Sequence, residues 1–318
     1  MGRAGGDERR LEEAEQAMIT PDLCVSDPTQ ARIEALPARQ TRLGALEIRR
    51  ALPRSARRMV GPWCFLDRYG PLTFSAGNPM DLPPHPHIGL QTVSWLLDGE
   101  VLHRDSLGSE SLLRAGGLNL MTAGQGIAHS EDTPMRNSGR LSGLQLWIAL
   151  PEGSRHRAPS FEHHPALPVR TFSGGQVTII LGEDSPASTF SPVIGADVAV
   201  HGALEIPLRA DFEHALLVTE GTAALEGQQL VPDVLYYLGT GRDAIELAGS
   251  ARLLLIGGAP FGESILMWWN FVARTQEEIV AAAEDWAKGD RFGPVRGYDG
   301  PPMPAPPLKG RVRPPAAS

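Results

Sequence analysis

Residues 91–105 read QTVSWLLDGEVLHRD, and this stretch decides the fold class. Two β-type runs, 91–97 and 100–105, flank Asp98 and Gly99, a pair typical of a two-residue type I′ turn because both turn positions need a positive φ. The stretch therefore predicts a β-hairpin. Further β-type runs follow at residues 111–114, 118–122, 127–131 and 144–150. Strands this frequent, with no helical pattern between them, predict an antiparallel sandwich or barrel.

A second series of β-type runs occupies residues 168–258. Its predicted turn, Glu220 and Gly221, comes shortly after Leu217 and Val218, much as Asp98 and Gly99 come after Leu96 and Leu97 in the first series. As a sequence repeat the match is weak, but as a hint of topology it predicts two similar β-barrels in tandem.

The ends of the chain differ from these two regions. Residues 1–28 form a charged extension with a short predicted helix at 7–18, and residues 300–318 hold seven prolines, which favour an extended tail. Between them, Thr275 and Glu278 form a capping box, and Lys288 with Gly289 gives a helix end, so we predict a helix over 275–288. We divide the chain into 1–28, a first barrel at 29–152, a second barrel at 160–270, and the helix and tail at 271–318.

Charge and composition exclude several classes of function. The 318 residues carry a net charge of −8, and residues 1–58 hold 11 basic against 9 acidic residues, so the rest is acidic and repels a nucleic-acid backbone. No apolar stretch is long enough to cross a bilayer, and the first ten residues have no apolar core for a signal peptide. Cys24 and Cys64 form no zinc pattern. We expect a soluble, cytoplasmic monomer that binds neither nucleic acid nor membrane.

Two period-two pairs predict a metal site. Side chains at i and i+2 of a strand share a face, so His85 and His87 present two imidazoles together, and His129 and Glu131 add an imidazole and a carboxylate. Three imidazoles and a carboxylate suit a first-row divalent ion and leave coordination positions open. Pro86 cannot donate to a ladder, which predicts an edge position for this strand.

His103 and Asp105 form a third such pair. In the predicted hairpin, His103 faces Ser94, on the parity opposite to His87, so it points away from the metal unless a bulge intervenes. We expect it to support or pack rather than to bind the ion. The remaining five histidines show no such pairing and predict no metal site in the second barrel; they are His156, His163, His164, His201 and His214.

These residues resemble a known family. The segments HPHIG (85–89), TAGQGIAHSE (122–131) and GLQLW (143–147) are similar to those of the pirin family of bicupins, as is RFGP (291–294) after the helix. The resemblance implies an all-β fold of two tandem, jelly-roll-type cupin barrels, with one metal ion, usually Fe(II), in the first barrel only. It places the ligands on His85, His87, His129 and Glu131. Gln91 stands where metal cupins generally carry a glutamate.

The resemblance leaves function divided. One interpretation is an iron-dependent oxygenase of the quercetin 2,3-dioxygenase type, with a flavonol-like aromatic substrate and Glu131 as the base that takes the substrate's hydroxyl proton. The alternative is a metal-dependent or redox-sensing regulatory protein that binds a protein partner without turnover. A third is a cupin isomerase, or a barrel that merely retains its metal. Trp147, in an alternating run, is predicted to line the barrel.

Overall fold

The structure is a computed structural model and describes residues 33–43, 46–75, 77 and 79–308. The N-terminal extension with its predicted helix, Cys24, and the tail from residue 309 lie outside the described residues. The strands of the first half are β1 (Glu34–Pro37), β2 (Arg39–Leu43), β3 (Leu46–Leu52), β4 (Trp63–Thr73), β5 (Asp81–His87), β6 (Leu90–Asp105), β7 (Glu110–Arg114), β8 (Leu118–Thr122), β9 (Ile127–Asp132) and β10 (Arg140–Ala149).

The second half continues in the same way and ends in a helix. Its elements are β11 (Ser160–His164), β12 (Val169–Phe172), β13 (Gly175–Leu181), β14 (Val193–Pro207), β15 (Glu213–Leu225), β16 (Gln228–Leu230), β17 (Val234–Gly239), β18 (Ala244–Gly258), β19 (Leu266–Trp268), β20 (Phe271–Ala273) and α1 (Gln276–Lys288). None of the helices in the described part of the chain has the length and apolar character needed to span a membrane.

Two curled antiparallel sheets confirm the predicted pair of β-barrels. A ten-stranded sheet runs β11-β8-β6-β10-β4-β3-β2 and also takes in β5, β7 and β9. An eight-stranded sheet runs β1-β17-β15-β18-β14-β13-β12, with β16 paired to β15. The two barrels exchange one strand each, since β1 belongs to the second sheet and β11 to the first. The sequence boundaries at 29–152 and 160–270 remain predictions, and the sheets do not follow them at these two strands.

The predicted hairpin at Asp98 and Gly99 is wrong. β6 is one strand of 16 residues that runs through both positions and changes partners along its length. Only Gly99 has a positive φ, of 90°, and a Cβ there would lie 2.1 Å from the carbonyl oxygen of Arg140 on β10. A register shift against β10 falls beside it. The glycine therefore marks a β-bulge, which uses the same positive φ as a tight turn.

The second barrel repeats this feature. β15 runs unbroken through Glu220 and Gly221, so the turn predicted there is also wrong. Gly221 has a φ of 68°, and a Cβ would lie 2.2 Å from the carbonyl oxygen of Ser250 on β18, next to a register shift. The long central strands β6 and β15 therefore each carry a β-bulge at a glycine with a positive φ.

Alternation along β6 separates two environments. Val93 and Trp95 point into an apolar cluster that contains residues of both sheets, such as Leu217 and Ile256, and this cluster joins the barrels. The intervening side chains point into the first barrel. The interior of the second barrel is filled by a cluster of its own aliphatic residues.

The predicted helix is confirmed. Thr275 is the N-cap, its capping box with Glu278 is complete, and Gly289 ends the helix with a φ of 78°. The helix packs in a cluster with Ile88 and Ala128 of the first barrel, and the cluster has no member from β11–β18. This packing attaches the helix to the first barrel.

Over residues 301–308 the proline-rich segment is extended, as predicted, and it lies against the first barrel and the helix. Met303 packs against the helix cluster, and its backbone N–H donates to the Pro84 carbonyl at 2.8 Å. Its own carbonyl accepts from Trp286 Nε1 at 2.8 Å. The segment thus crosses β5 just before the two histidines of that strand.

Candidate metal centre

Strands β5 and β9 bring the two predicted pairs together. They are antiparallel, with His85 opposite His129, and β5 pairs with no other strand of its sheet, as Pro86 predicted. Paired residues, and residues two positions apart, share a face, so the four predicted ligands point into the first barrel. All of them are buried: His87 and His129 are each 1% exposed, and Glu131 is 4% exposed.

The hydrogen bonds of two imidazoles fix which nitrogen faces inward. His85 Nδ1 donates to the Pro83 carbonyl at 2.8 Å, and His87 Nδ1 donates to the Asn270 carbonyl at 3.1 Å. In the neutral rings, Nε2 is then unprotonated and carries a free lone pair. His87 Nε2 lies 3.0 Å from His129 Nε2, and one ligand nitrogen from each of the three histidines lies within 4.8 Å of the others.

This donor set fits a first-row divalent ion. Converging lone pairs repel each other unless a proton or a cation lies between them, and neutral imidazole is a preferred ligand of such ions. Burial holds the rings neutral: it lowers the pKa of His85 to about 4 and the pKa values of His87 and His129 well below the ordinary value. The rings therefore need not lose a proton before an ion binds at neutral pH.

Glu131 lies in a second candidate group, with His103 and His129. Its Oε1 is 2.9 Å from the Ser94 hydroxyl, which donates to it. Burial raises the pKa of Glu131, and the neighbouring His103 acts in the opposite direction. The two groups share His129, so the carboxylate lies next to the cluster of three imidazoles.

His103 is closer to the site than the hairpin predicted. Because β6 continues past Gly99, its far end pairs with β9, and His103 comes opposite Glu131. His103 Nδ1 lies 3.3 Å from His129 Nδ1, and its ring stacks on Phe161 with centroids 4.4 Å apart. The signal for this placement was the period-two pair of His103 and Asp105.

An apolar cavity of about 240 Å³ opens onto the imidazoles. Trp147 lines it, as predicted, and stacks on Phe65 with centroids 4.1 Å apart. Arg50 and Asp67, also in the lining, form a two-pronged ion pair, with both N–O distances 2.8 Å. The remaining lining residues are Leu46, Ile48, Tyr69, Met80, Leu82, His85, His87, His129, Glu131, Gln145, Trp269, Asn270 and Met303.

The lining residues Trp269, Asn270 and Met303 follow β18, the last strand of the second sheet, and had no sequence signal. Trp269 and Asn270 reach the site because β20 passes beside Gly89, where a Cβ would lie 2.0 Å from the Val272 carbonyl oxygen. A larger residue at position 89 would push this strand away from the cavity. Met303 reaches it through the extended tail, by its hydrogen bond to Pro84.

Gln91 takes no part in the site. It lies on the opposite face of β6, and its Nε2 donates to Thr122 Oγ1 at 2.9 Å and to the Ser188 carbonyl at 3.0 Å. Both candidate ligand groups found in the described residues belong to the first barrel.

Two family models match this chain, and several known proteins are similar to it. The family model described as Pirin matches residues 45–148, and the model described as Pirin C-terminal cupin domain matches residues 195–293. The chain is 45% identical over 278 residues to a Pseudomonas aeruginosa protein named "Putative quercetin 2,3-dioxygenase PA1205", covering 85% of this chain and 88% of that one. A pirin-like protein of Caulobacter vibrioides is 38% identical, with 79% and 92% covered.

A crystal structure of quercetin 2,3-dioxygenase from Acinetobacter baumannii shares the architecture. It is 43% identical to this chain and superposes with a TM-score of 0.85 over 88% of this chain and 97% of that one.

Proposed function

The chain belongs to the pirin family, and we propose that this protein is a mononuclear non-haem iron cupin that oxygenates a flavonol-like substrate, as a quercetin 2,3-dioxygenase does. One observation carries the proposal: three buried, neutral imidazoles face an apolar cavity with a stacked aromatic wall. A site that only stores an ion has no need of such a cavity. A planar aromatic substrate, by contrast, needs an apolar cavity of this kind to bind.

We propose that His85, His87 and His129 hold the ion and that Glu131 completes the set. Imidazole and carboxylate ligands suit Fe(II), and they also suit other first-row divalent ions. Bound iron would supply the reactivity toward O₂ that protein side chains lack. The Nδ1 hydrogen bonds of His85 and His87 to backbone carbonyls hold both rings in the orientation that ligation requires.

The remaining side chains place and activate the substrate. The wall formed by Phe65 and Trp147 offers a stacking surface for a flavonol ring, and the Arg50–Asp67 pair in the same lining offers hydrogen-bond partners for its hydroxyls. Glu131 would accept the proton of a substrate hydroxyl. Its pKa, raised by burial, brings its basicity closer to that task. Trp269 and Met303 cover the cavity from the C-terminal side and limit the entry of water.

Oxygen uptake tests the proposal. Iron-loaded protein is mixed with quercetin in an oxygen electrode, and elemental analysis counts the metal. We expect one ion per chain and quercetin-dependent uptake, with both lost in His87→Ala and both kept in His201→Ala, which removes an exposed histidine of the second barrel. One iron per chain with no uptake for any flavonol would refute the oxygenase and favour a regulatory protein. Two tightly held ions per chain would refute the single site.

A further inference from the structure

We infer that Asp105 and His103 form a hydrogen-bonded relay that fixes the tautomer of His129 and so presents its Nε2 to the ion. The inference rests on the proposed function in one respect, since it assumes that His129 is a metal ligand. It assigns positioning roles to two residues of β6, one of which the sequence placed away from the site.

The two nitrogens of His129 face different neighbours. Nε2 lies 3.0 Å from His87 Nε2, on the side of the other imidazoles. Nδ1 lies 3.3 Å from His103 Nδ1. His103 therefore stands behind His129 as seen from an ion held by His85, His87 and His129, and it contacts the ring rather than the ion.

The relay continues to a carboxylate. His103 Nε2 lies 3.3 Å from Asp105 Oδ2. The other oxygen, Oδ1, accepts the backbone N–H groups of Leu107 and Ser109, both at 2.9 Å. A carboxylate can only accept, so Asp105 is anchored by two donors and offers its remaining oxygen to the ring.

The Asp105 carboxylate determines the direction of each hydrogen bond in the relay. Asp105 requires a proton on His103 Nε2, which in a neutral imidazole leaves His103 Nδ1 as an acceptor. His129 Nδ1 must then be the donor, and His129 Nε2 is left with the lone pair that a metal binds. The Asp105 carboxylate thus determines which nitrogen of His129 is free to bind a metal.

Packing keeps the relay in place. His103, Asp105 and His129 are each 1% exposed, so water does not compete for their hydrogen bonds. The strand register sets Asp105 opposite His129 and His103 opposite Glu131. Phe161 covers the His103 ring, with an angle of 11° between the planes.

Zinc binding tests the relay without turnover, because Zn(II) is diamagnetic and its affinity can be measured against a chelator. We expect Asp105→Asn and His103→Ala to weaken zinc affinity by about 10- to 100-fold, the range seen when an outer partner of a ligand is removed. Ser111→Ala is the matched control: Ser111 is the partner of His103 on β7 and bonds Asn119 instead of the relay. It should change the affinity less than about threefold.

Long-range ¹H–¹⁵N spectra of the wild-type zinc protein give a second readout that depends on no variant folding. The relay predicts His129 protonated on Nδ1 and His103 protonated on Nε2, and Asp105→Asn should remove the second signal. Zinc bound through His129 Nδ1, or both variants binding within twofold of wild type, would overturn the relay.

A folded His103→Ala protein that binds no zinc would make His103 a direct ligand and would also overturn it. If the wild type binds no zinc, the relay and the proposed site fail together. Failure of oxygen uptake alone leaves these measurements unchanged.

Discussion

Replacing Glu131 with glutamine separates holding an ion from doing chemistry with it. Glutamine matches glutamate in size and keeps an oxygen that accepts from the Ser94 hydroxyl, now 2.9 Å away. What disappears is the negative charge and the basicity. Because burial disfavours the charged form, the neutral amide should not weaken the fold, and the unfolding midpoint of the metal-free variant should not fall.

The expected loss of turnover is large. Loss of a positioned general base typically costs about 10²- to 10⁴-fold in rate. At the lower limit this is about 2.7 kcal/mol of activation free energy. Three imidazoles remain, so the variant should keep a substantial share of its iron. Ser94→Ala, which leaves the carboxylate but removes its hydrogen bond, should cost only about tenfold, as for one hydrogen bond to a charged group.

The assay is quercetin-dependent oxygen uptake divided by the iron content of each sample. A rate per iron within twofold of wild type in Glu131→Gln would refute the role of Glu131 as base. Complete loss of iron in a folded variant would instead show that the carboxylate is indispensable for holding the ion.

Three further perturbations test the fold. Trp286→Ala should destabilise the protein by about 3 kcal/mol, the low end for a tryptophan since the ring is only partly buried, and a urea midpoint equal to wild type would mean that the helix is not docked. Burial raises the pKa of the Cys64 thiol to about 12, so in a Cys24→Ser protein iodoacetamide at pH 8 should label nothing until the chain unfolds, and prompt labelling of the native protein would contradict this burial. Gly99 and Gly108 have φ values of 90° and 91°, but only at Gly99 would a Cβ meet another strand, at 2.1 Å. Gly99→Ala should therefore cost about 1–3 kcal/mol more than Gly108→Ala, and equal thermal midpoints would argue against the bulge.

The period of two explains what the sequence could predict about the site. His85 with His87, and His129 with Glu131, had to share a strand face wherever their strands lay, so each pair followed from spacing alone. The meeting of the two pairs depends on the pairing of β5 with β9, which spacing does not give. Asp98 and Gly99 misled because a positive φ serves a turn and a bulge equally well. Whether the chain forms a turn or a bulge there depends on the strands that pair with β6, and no local sequence pattern predicts those strands.

Contacts between residues far apart in the chain could not be predicted either, because no local sequence pattern indicates them. Asn270 accepts a hydrogen bond from His87, 183 positions earlier, through its backbone carbonyl, which carries no information about residue type. The helix ends, by contrast, depend on groups within four residues of each other. Thr275, Glu278 and Gly289 therefore predicted them correctly.

Because β1 and β11 are exchanged, neither barrel is complete without residues from the other half of the chain. A gene fragment ending near residue 152 would encode a first barrel without β11, leaving β8 with an open edge and His103 without the Phe161 ring. The complementary fragment would lack β1 and leave β17 open. The second half of the chain, whose described residues hold no candidate metal group, therefore completes the first barrel's sheet with β11 and covers His103 with Phe161.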